Sequence, residues 1–415
     1  FPIVVGQLGV ILVSFADPFM VGWHGTEDLG AASFVNNIFN LVIIFAVGFS
    51  YGLTPIVGKL FGEGKQKEAG AVLKNALFTN GVMAFIIIAI MGVVYQNIDR
   101  LGQPEELMPL IRPYFIVLLL SLPFVMLFNS FKQFVDSITD TKTAMWIMLS
   151  GNIINIVGNY LLIFGKCGFP ELGLLGAGIA TVLSRMAMLA LALTIFLKSS
   201  RYHTYMQGFF GGKITAKEQK TLNKLGLPVA MQMGMETASF SLATIMVGWL
   251  GTNALAAHQI MCTVGQLGFM MYYGMAAAVA VKVSNYNGTG NMADIRRSAN
   301  AGFKIIVVMA IIASLTVWLI RNRMGFFFTD NVDVALLVTQ LAVPFILYQV
   351  GDGLQCNFSN ALRGIADVKP VMRYAFIAYF VISLPVGYIF AFTLNLGLTG
   401  IWLSFPFGLT TAGVL

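Results

Sequence analysis

Apolar runs long enough to cross a bilayer follow one another along almost the whole chain. Each is close to the roughly 20 residues a spanning helix requires. Between them lie short polar stretches with turn chemistry, such as Gly62-Glu63-Gly64-Lys65, Leu101-Gly102-Gln103-Pro104 and Gly288-Thr289-Gly290-Asn291. The runs do not alternate apolar and polar residues, as membrane strands of about 10 residues would. The pattern therefore predicts an all-α polytopic membrane protein with twelve spans. These fall at 2–23, 29–57, 71–96, 107–131, 143–164, 172–197, 222–250, 254–283, 296–320, 333–361, 370–393 and 397–415. Composition agrees: 57% of the residues are hydrophobic and 10% charged, against about 25% charged for a soluble domain. So few charges could not cover a soluble surface. The chain starts without Met and ends inside an apolar stretch, so both natural termini are expected to lie beyond it.

Lys and Arg are distributed unevenly between the two sides. Connections that follow even-numbered spans hold nineteen of the 25 and those that follow odd-numbered spans hold five; Arg185, inside the sixth span, is the remaining one. By the positive-inside rule this places the even connections and both termini in the cytoplasm. The net charge of +7 thus reflects topology and requires no nucleic-acid partner. The longest polar connection, from Lys198 to Leu225, begins with Tyr202, Tyr205, Phe209 and Phe210. It reads as a linker between two halves, compatible with a helix lying on the inner membrane surface.

The strongest signal is an internal repeat. Met20, Val21, Gly22, Trp23, Gly25, Thr26, Leu29 and Ala31 recur as Met246, Val247, Gly248, Trp249, Gly251, Thr252, Leu255 and Ala257, at an offset of 226. Gly62 and Gly64 pair with Gly288 and Gly290 at that offset, Asp140 and Lys142 with Asp367 and Lys369 at 227, and Gly173 with Gly397 at 224. The chain reads as a duplicated six-helix unit, with an N-lobe at 1–197, a cytoplasmic linker at 198–221 and a C-lobe at 222–415. Six spans is an even number, so both copies enter from the same side. The expected relation is a pseudo-twofold axis along the membrane normal, with alternating access by rocking of the lobes.

Against this apolar background, Asp17, Glu236 and Asp352 are the three acids that lie well inside spans. An acid there costs about 2.5 to 3.5 kcal/mol on insertion scales and normally serves ion binding or proton transfer. Arg185 is the one base at hand, so at most one acid could be a structural ion pair. In the repeat Asp17 aligns with Ala243, Glu236 with Val10 and Asp352 with Met126. Each lobe therefore carries its own ionisable site. Pro18 cannot donate to the carbonyl of Ser14, leaving an acceptor one turn before Asp17. Asn155 and Asn159 share a helical face at i, i+4, and Thr181 adds a hydroxyl. Such hard oxygens suit a proton or Na⁺, whether at Asp17 or at Glu236 with Asp352; the alternative for the asparagines is interhelical hydrogen bonding. Around Glu236 the sequence gathers Gln232, Met235, Tyr273 and Asn357 as candidate substrate contacts, in a Met- and Tyr-rich neighbourhood suited to varied lipophilic cations.

Other chemistry is sparse. Cys167, Cys262 and Cys356 stand apart and read as small hydrophobes. His24 and His258 fall near external turns and His203 in the linker. No phosphate loop, nucleophile–base pair or zinc signature appears, which speaks against an enzyme and against ATP as the energy source. No cofactor is expected beyond a coupling ion.

The repeat at Met20–Ala31, together with Ala361-Leu362-Arg363-Gly364 and Asp367-x-Lys369-Pro370 after the tenth span, resembles the MATE (multidrug and toxic compound extrusion) family over the whole chain. Pro228 with Glu236, and Asp352, are similar to its NorM-like branch. Asp17, Asn155, Asn159 and Thr181 match the polar cation site of the first lobe in bacterial and archaeal members. Asn159 departs from members with a second acid there. The resemblance implies a monomer of the bacterial inner membrane that exports amphiphilic, mostly cationic compounds in exchange for Na⁺ or H⁺. A flippase for a lipid-linked precursor is the alternative. Its cavity would need Arg and Lys for phosphates, where the spans offer three acids and one base. A channel is a third reading, without a pore-like ring motif to support it.

Overall fold

The computed structural model describes residues 2–101 and 104–414; Gly102 and Gln103 of one predicted turn lie outside the described residues. Among these, the chain is helical and holds no strand. The helices are α1 (Pro2–His24), α2 (Thr26–Ser50), α3 (Leu53–Gly62), α4 (Gln66–Gln96), α5 (Met108–Ser137), α6 (Thr141–Ile163), α7 (Gly173–Lys198) and α8 (His203–Gly211). They continue as α9 (Ala216–Gly248), α10 (Thr252–Thr289), α11 (Met292–Met324), α12 (Val332–Gln340), α13 (Ala342–Gly364), α14 (Val368–Phe376), α15 (Leu384–Tyr388) and α16 (Gly397–Val414). Nine of the described helical stretches are long and apolar enough to cross a membrane, or ten when α12 and α13, bent by 46°, count as one span. The predicted seventh and twelfth spans are also present as helices, in α9 and α16. They are less apolar because α9 carries Gln232, Glu236, Thr237, Ser239, Ser241 and Thr244 in its membrane part and α16 carries Ser, Thr and Gly.

Several spans differ from a plain rod. The second is interrupted by a turn at Tyr51-Gly52 that divides it into α2 and α3. The eleventh runs through two π-helical stretches, Ile377–Ser383 and Ile389–Thr393, on either side of α15. Pro385 lacks the N–H that would bond the carbonyl of Val381, so an α-helical ladder cannot pass unchanged through this point.

The chain divides into two compact units, Phe1–Ala230 and Met231–Leu415. The division falls inside α9. The duplication is written in the backbone as well as in the sequence. Gly64 and Gly290 have φ of 74° and 72°, Gly173 and Gly397 have 55° or less, and Thr139 and Ala366 share a left-handed φ of 66°. Those last two close the turns before Asp140 and Asp367, which both have φ of −95°.

The connection after α7 folds against the first unit. The aromatic residues Tyr202 and Tyr205 are buried, while Phe210 remains 63% exposed. Tyr202 donates its hydroxyl to Asp140, which also accepts from Thr143 (2.8 Å) and Arg201 (3.1 Å). Burial, reinforced by Asp140, pushes the Tyr202 phenol above its ordinary value, so it stays a donor. Helix α8 crosses α4 at backbone contact. A Cβ on Gly70 would sit 1.9 Å from the Tyr205 carbonyl oxygen, and one on Gly208 1.8 Å from that of Lys67. Only glycine fits at either place.

Candidate functional site

Each unit holds its own polar cluster. In the first unit, close packing of α6 on α7 builds it. A Cβ on Gly158 would lie 3.0 Å from the Cβ of Ala180, so the two backbones approach closely, as small residues allow between membrane helices. That approach brings the α6 face of Asn155 and Asn159 against Thr181 of α7. Asn159 donates Nδ2 to Asp17 Oδ1 at 2.6 Å, across from α6 to α1. The same amide lies 3.5 Å from Asn155 Oδ1, and Asn155 Nδ2 lies 3.4 Å from Thr181 Oγ1. The structure thus joins Asp17, Asn159, Asn155 and Thr181 in one chain of polar contacts.

Two features of this cluster decide what it can do. Among the described residues, Asp17 has no ion-pair partner. Arg185 exerts its charge on Asp17 from a distance, but its guanidinium donates to Ser121. Second, Asn159 Oδ1 is buried and accepts no hydrogen bond among the described residues. A carboxylate without an ion pair, beside an amide oxygen with unused lone pairs, can take up a small cation. Helix α1 passes unbroken through Pro18, and Ser14 hydrogen-bonds back to the carbonyl of Val10 at 2.8 Å. The Ser14 carbonyl still lacks the donor that Pro18 cannot supply.

In the second unit Asp352 is flanked by Gly351 and Gly353 on α13. Gly351 meets Leu409 and Thr410 of α16, and Gly353 meets Ile306 of α11. The small residues let both helices close on α13, and Asp352 is left 1% exposed. Among the described residues its Oδ1 receives only the Cys356 thiol, at 3.7 Å, and its Oδ2 receives nothing. Glu236, on α9, accepts from Gln355 Nε2 at 3.3 Å and lies within electrostatic reach of Asp352. The hydroxyl of Tyr379, in the first π-helical stretch, lies near enough to Glu236 to act on its carboxylate. Desolvation and like charge both oppose having the two carboxylates ionised together. Such a pair is a place where a cation lowers the energy.

The candidate substrate contacts separate. Gln232 is buried and held by Arg363, which donates to its Oε1 at 2.5 Å. Asn357 is buried and donates to the carbonyl of Ala299 at 3.1 Å, tying α13 to α11. Met235 packs against the apolar core of the unit. Tyr273 stacks on Phe269, with ring centroids 5.5 Å apart, and points its hydroxyl at Met233 Sδ. Gln232 and Asn357 thus tie helices together, and Met235 and Tyr273 are held in packing contacts.

Three groups escape the sequence reading. Arg363, read there as part of a cytoplasmic connection, is a second buried base on α13. Lys132, assigned likewise, is buried and paired with Asp136 at 3.0 Å; Asp136 is therefore a further buried acid, at the end of α5. His258, read as a turn residue, is buried in α10 beside Thr244 (3.0 Å) and Trp402. For Arg363 a signal exists: Asp352, Cys356, Ser359, Asn360 and Arg363 follow one another at i+3 and i+4, so the polar stripe runs to the end of the helix.

Among the described residues no group of three or more His, Cys, Asp or Glu side chains is arranged to hold a metal ion. Any cation here would rely on amide, hydroxyl and carbonyl oxygens beside one or two carboxylates.

Known proteins place this architecture. The MatE family model matches residues 2–161 and again 228–389. The two matches start 226 residues apart, the offset of the internal repeat. The chain is similar to the eukaryotic MATE transporter AtDTX14, with 18% identity and a TM-score of 0.88 over all of this chain and 92% of that one. It is similar to the MATE transporter VcmN of Vibrio cholerae in its bent form, with 17% identity and a TM-score of 0.86 over all of this chain and 92% of that one. A transporter of the MOP superfamily from Pyrococcus furiosus shares 21% identity, with a TM-score of 0.86 over all of this chain and 91% of that one. Identities this low carry the fold, and the family match over most of the chain carries the membership. This chain belongs to the MATE family of multidrug-efflux-type transporters and is a multi-pass membrane transporter, not an enzyme.

Proposed function

We propose that the chain is a cation-coupled multidrug antiporter, exporting amphiphilic and mostly cationic organic compounds in exchange for Na⁺ or H⁺ by alternating access. One observation carries this reading. Asp17, Glu236 and Asp352 lie in spanning helices without an ion-pair partner among the described residues, although Arg185 and Arg363 are near enough to act on Asp17 and Glu236. A structural acid would have been neutralised by such a base. In the cycle, entry of the cation neutralises the acids and releases the drug outside. Loading of a cationic drug from the cytoplasm then displaces the cation. The protein acts as a monomer in the inner membrane, with both termini cytoplasmic.

The fold alone does not decide substrate charge. The Pyrococcus furiosus neighbour is described as having a binding pocket of reverse polarity that suggests a different function. A flippase for an anionic lipid-linked precursor would need unoccupied bases, whereas Arg185 and Arg363 donate to Ser121 and to Gln232. The test is ethidium efflux and drug resistance with Asp17→Asn, Glu236→Gln and Asp352→Asn. Loss of efflux in each is expected. Unchanged efflux and resistance in all three would overturn the antiport mechanism.

A further inference from the structure

The second unit contains a cavity of about 430 Å³ that the cycle above does not use. Its lining includes Gln232 of α9, the exposed Arg296 of α11, Gln355 and Ser359 of α13, Ile365 just after that helix, and Val371 of α14. Among the described residues Arg296 is its one charged side chain, so a cation on this route passes a like charge. Ile365 and Val371 place its mouth beside the turn at 364–368, on the side that the Lys and Arg distribution assigns to the cytoplasm. It reaches the acidic site through Gln355 and Gln232, without being lined by either acid. Gln355 lines the cavity and donates Nε2 to Glu236 Oε2. Gln232, one helical turn before Glu236, lines it too and is fixed by Arg363.

Gln355 has a second property. Its Oε1 is buried and accepts no hydrogen bond among the described residues. Leaving a buried amide oxygen unpaired is costly, and such an atom is retained where it has a use. Amide oxygens are hard ligands suited to Na⁺ or to a protonated water. Beside Glu236 the side chain therefore offers an acceptor that a cation leaving the carboxylate meets before it reaches the cavity.

We propose that this cavity is the inward exit route of the coupling cation and that Gln355 is its transfer ligand. The proposal rests on Glu236 as a coupling site. Displaced from Glu236, the cation passes onto Gln355 Oε1, then into the cavity, and leaves past the 364–368 turn. The route lies within one unit, so it spares the cation a passage shared with a cationic drug moving the other way.

The experiment uses the full chain in proteoliposomes oriented with the 364–368 turn accessible. Ser359→Cys is treated with a charged, membrane-impermeant methanethiosulfonate, and drug-free cation exchange and equilibrium ethidium binding are measured before and after. The parent chain, with Cys167, Cys262 and Cys356, supplies the background. Labelling is expected to slow exchange roughly tenfold, equivalent to about 1.4 kcal/mol on the barrier, without changing ethidium affinity. Gln355→Leu, without labelling, is expected to slow exchange to a similar degree. Failure of Ser359→Cys to label, as in a lipid-filled pocket, or labelling with exchange unchanged, would overturn the route. Glu236→Gln in the same assay separates the two claims: if it exchanges normally, the coupling site is wrong, and if it alone is inert, only the route is.

Discussion

Replacing Asp352 by Asn separates a coupling acid from a structural one, because the two make opposite predictions for stability. Asp352 is buried, with one weak thiol contact on Oδ1, none on Oδ2, and the like charge of Glu236 nearby. A spanning carboxylate costs about 2.5 to 3.5 kcal/mol on insertion scales, which an amide of the same shape largely avoids. The new NH₂ group costs about 1 to 3 kcal/mol if it finds no acceptor. The expected net effect on stability lies between no change and a gain of about 2 kcal/mol, while cation-driven transport is lost. Removing one member of a buried ion pair would instead destabilise by about 3 to 5 kcal/mol. Asp140 provides the internal contrast, since Tyr202, Thr143 and Arg201 all contact it. The exposed Arg201 counts for little. Both hydroxyls donate to Oδ2, and losing two charge-assisted hydrogen bonds gives an expected loss of about 3 kcal/mol or more. Thermal unfolding of the purified protein in detergent, followed by far-ultraviolet circular dichroism, compares the two. On soluble domains about 1 kcal/mol moves Tm by 2 to 4 °C. A fall in Tm for Asp352→Asn that matches or exceeds that for Asp140→Asn, with transport retained, would refute the reasoning.

Other outcomes follow from the same contacts. Asn159→Leu removes the donor to Asp17 and the unpaired Oδ1; transport driven by the cation gradient is expected to fall at least tenfold, the effect of about 1.4 kcal/mol, with expression maintained. Gly208→Val drives a side chain into the Lys67 carbonyl; a loss of about 1 to 3 kcal/mol and faster proteolysis between α8 and α9 are expected. Thr139→Gly relieves a β-branched residue at a left-handed φ of 66°, and thermal unfolding should show a gain of about 1 kcal/mol.

What the sequence carried and what it withheld have physical reasons. A carboxylate in an apolar run is conspicuous, so Asp17, Glu236 and Asp352 could be read directly, and the i, i+4 spacing of Asn155 and Asn159 put them on one face. That Asn159 is the residue touching Asp17 depends on how α1 packs on α6, where Gly6 and Gly9 meet Met148, Leu149 and Asn152, which no single helix encodes. Charges near span ends are ambiguous: Arg363, Lys132 and Asp136 look like loop residues because helices here extend beyond the apolar runs, α10 reaching 38 residues. The π-helical stretches that place Tyr379 beside Glu236 leave no period of their own, and only Pro385 hints at a break. The latch of Tyr202 on Asp140 joins residues 62 apart, beyond the reach of local pattern.

The central claim is that the unpaired acids of both units bind the coupling cation. It is tested most directly by drug efflux from proteoliposomes under an imposed Na⁺ gradient and, separately, an imposed pH gradient, for the parent chain and for Asp17→Asn, Glu236→Gln and Asp352→Asn. The account predicts that at least one gradient drives efflux in the parent chain and that each variant loses that response. Efflux indifferent to both gradients, or variants that respond as the parent does, would contradict it.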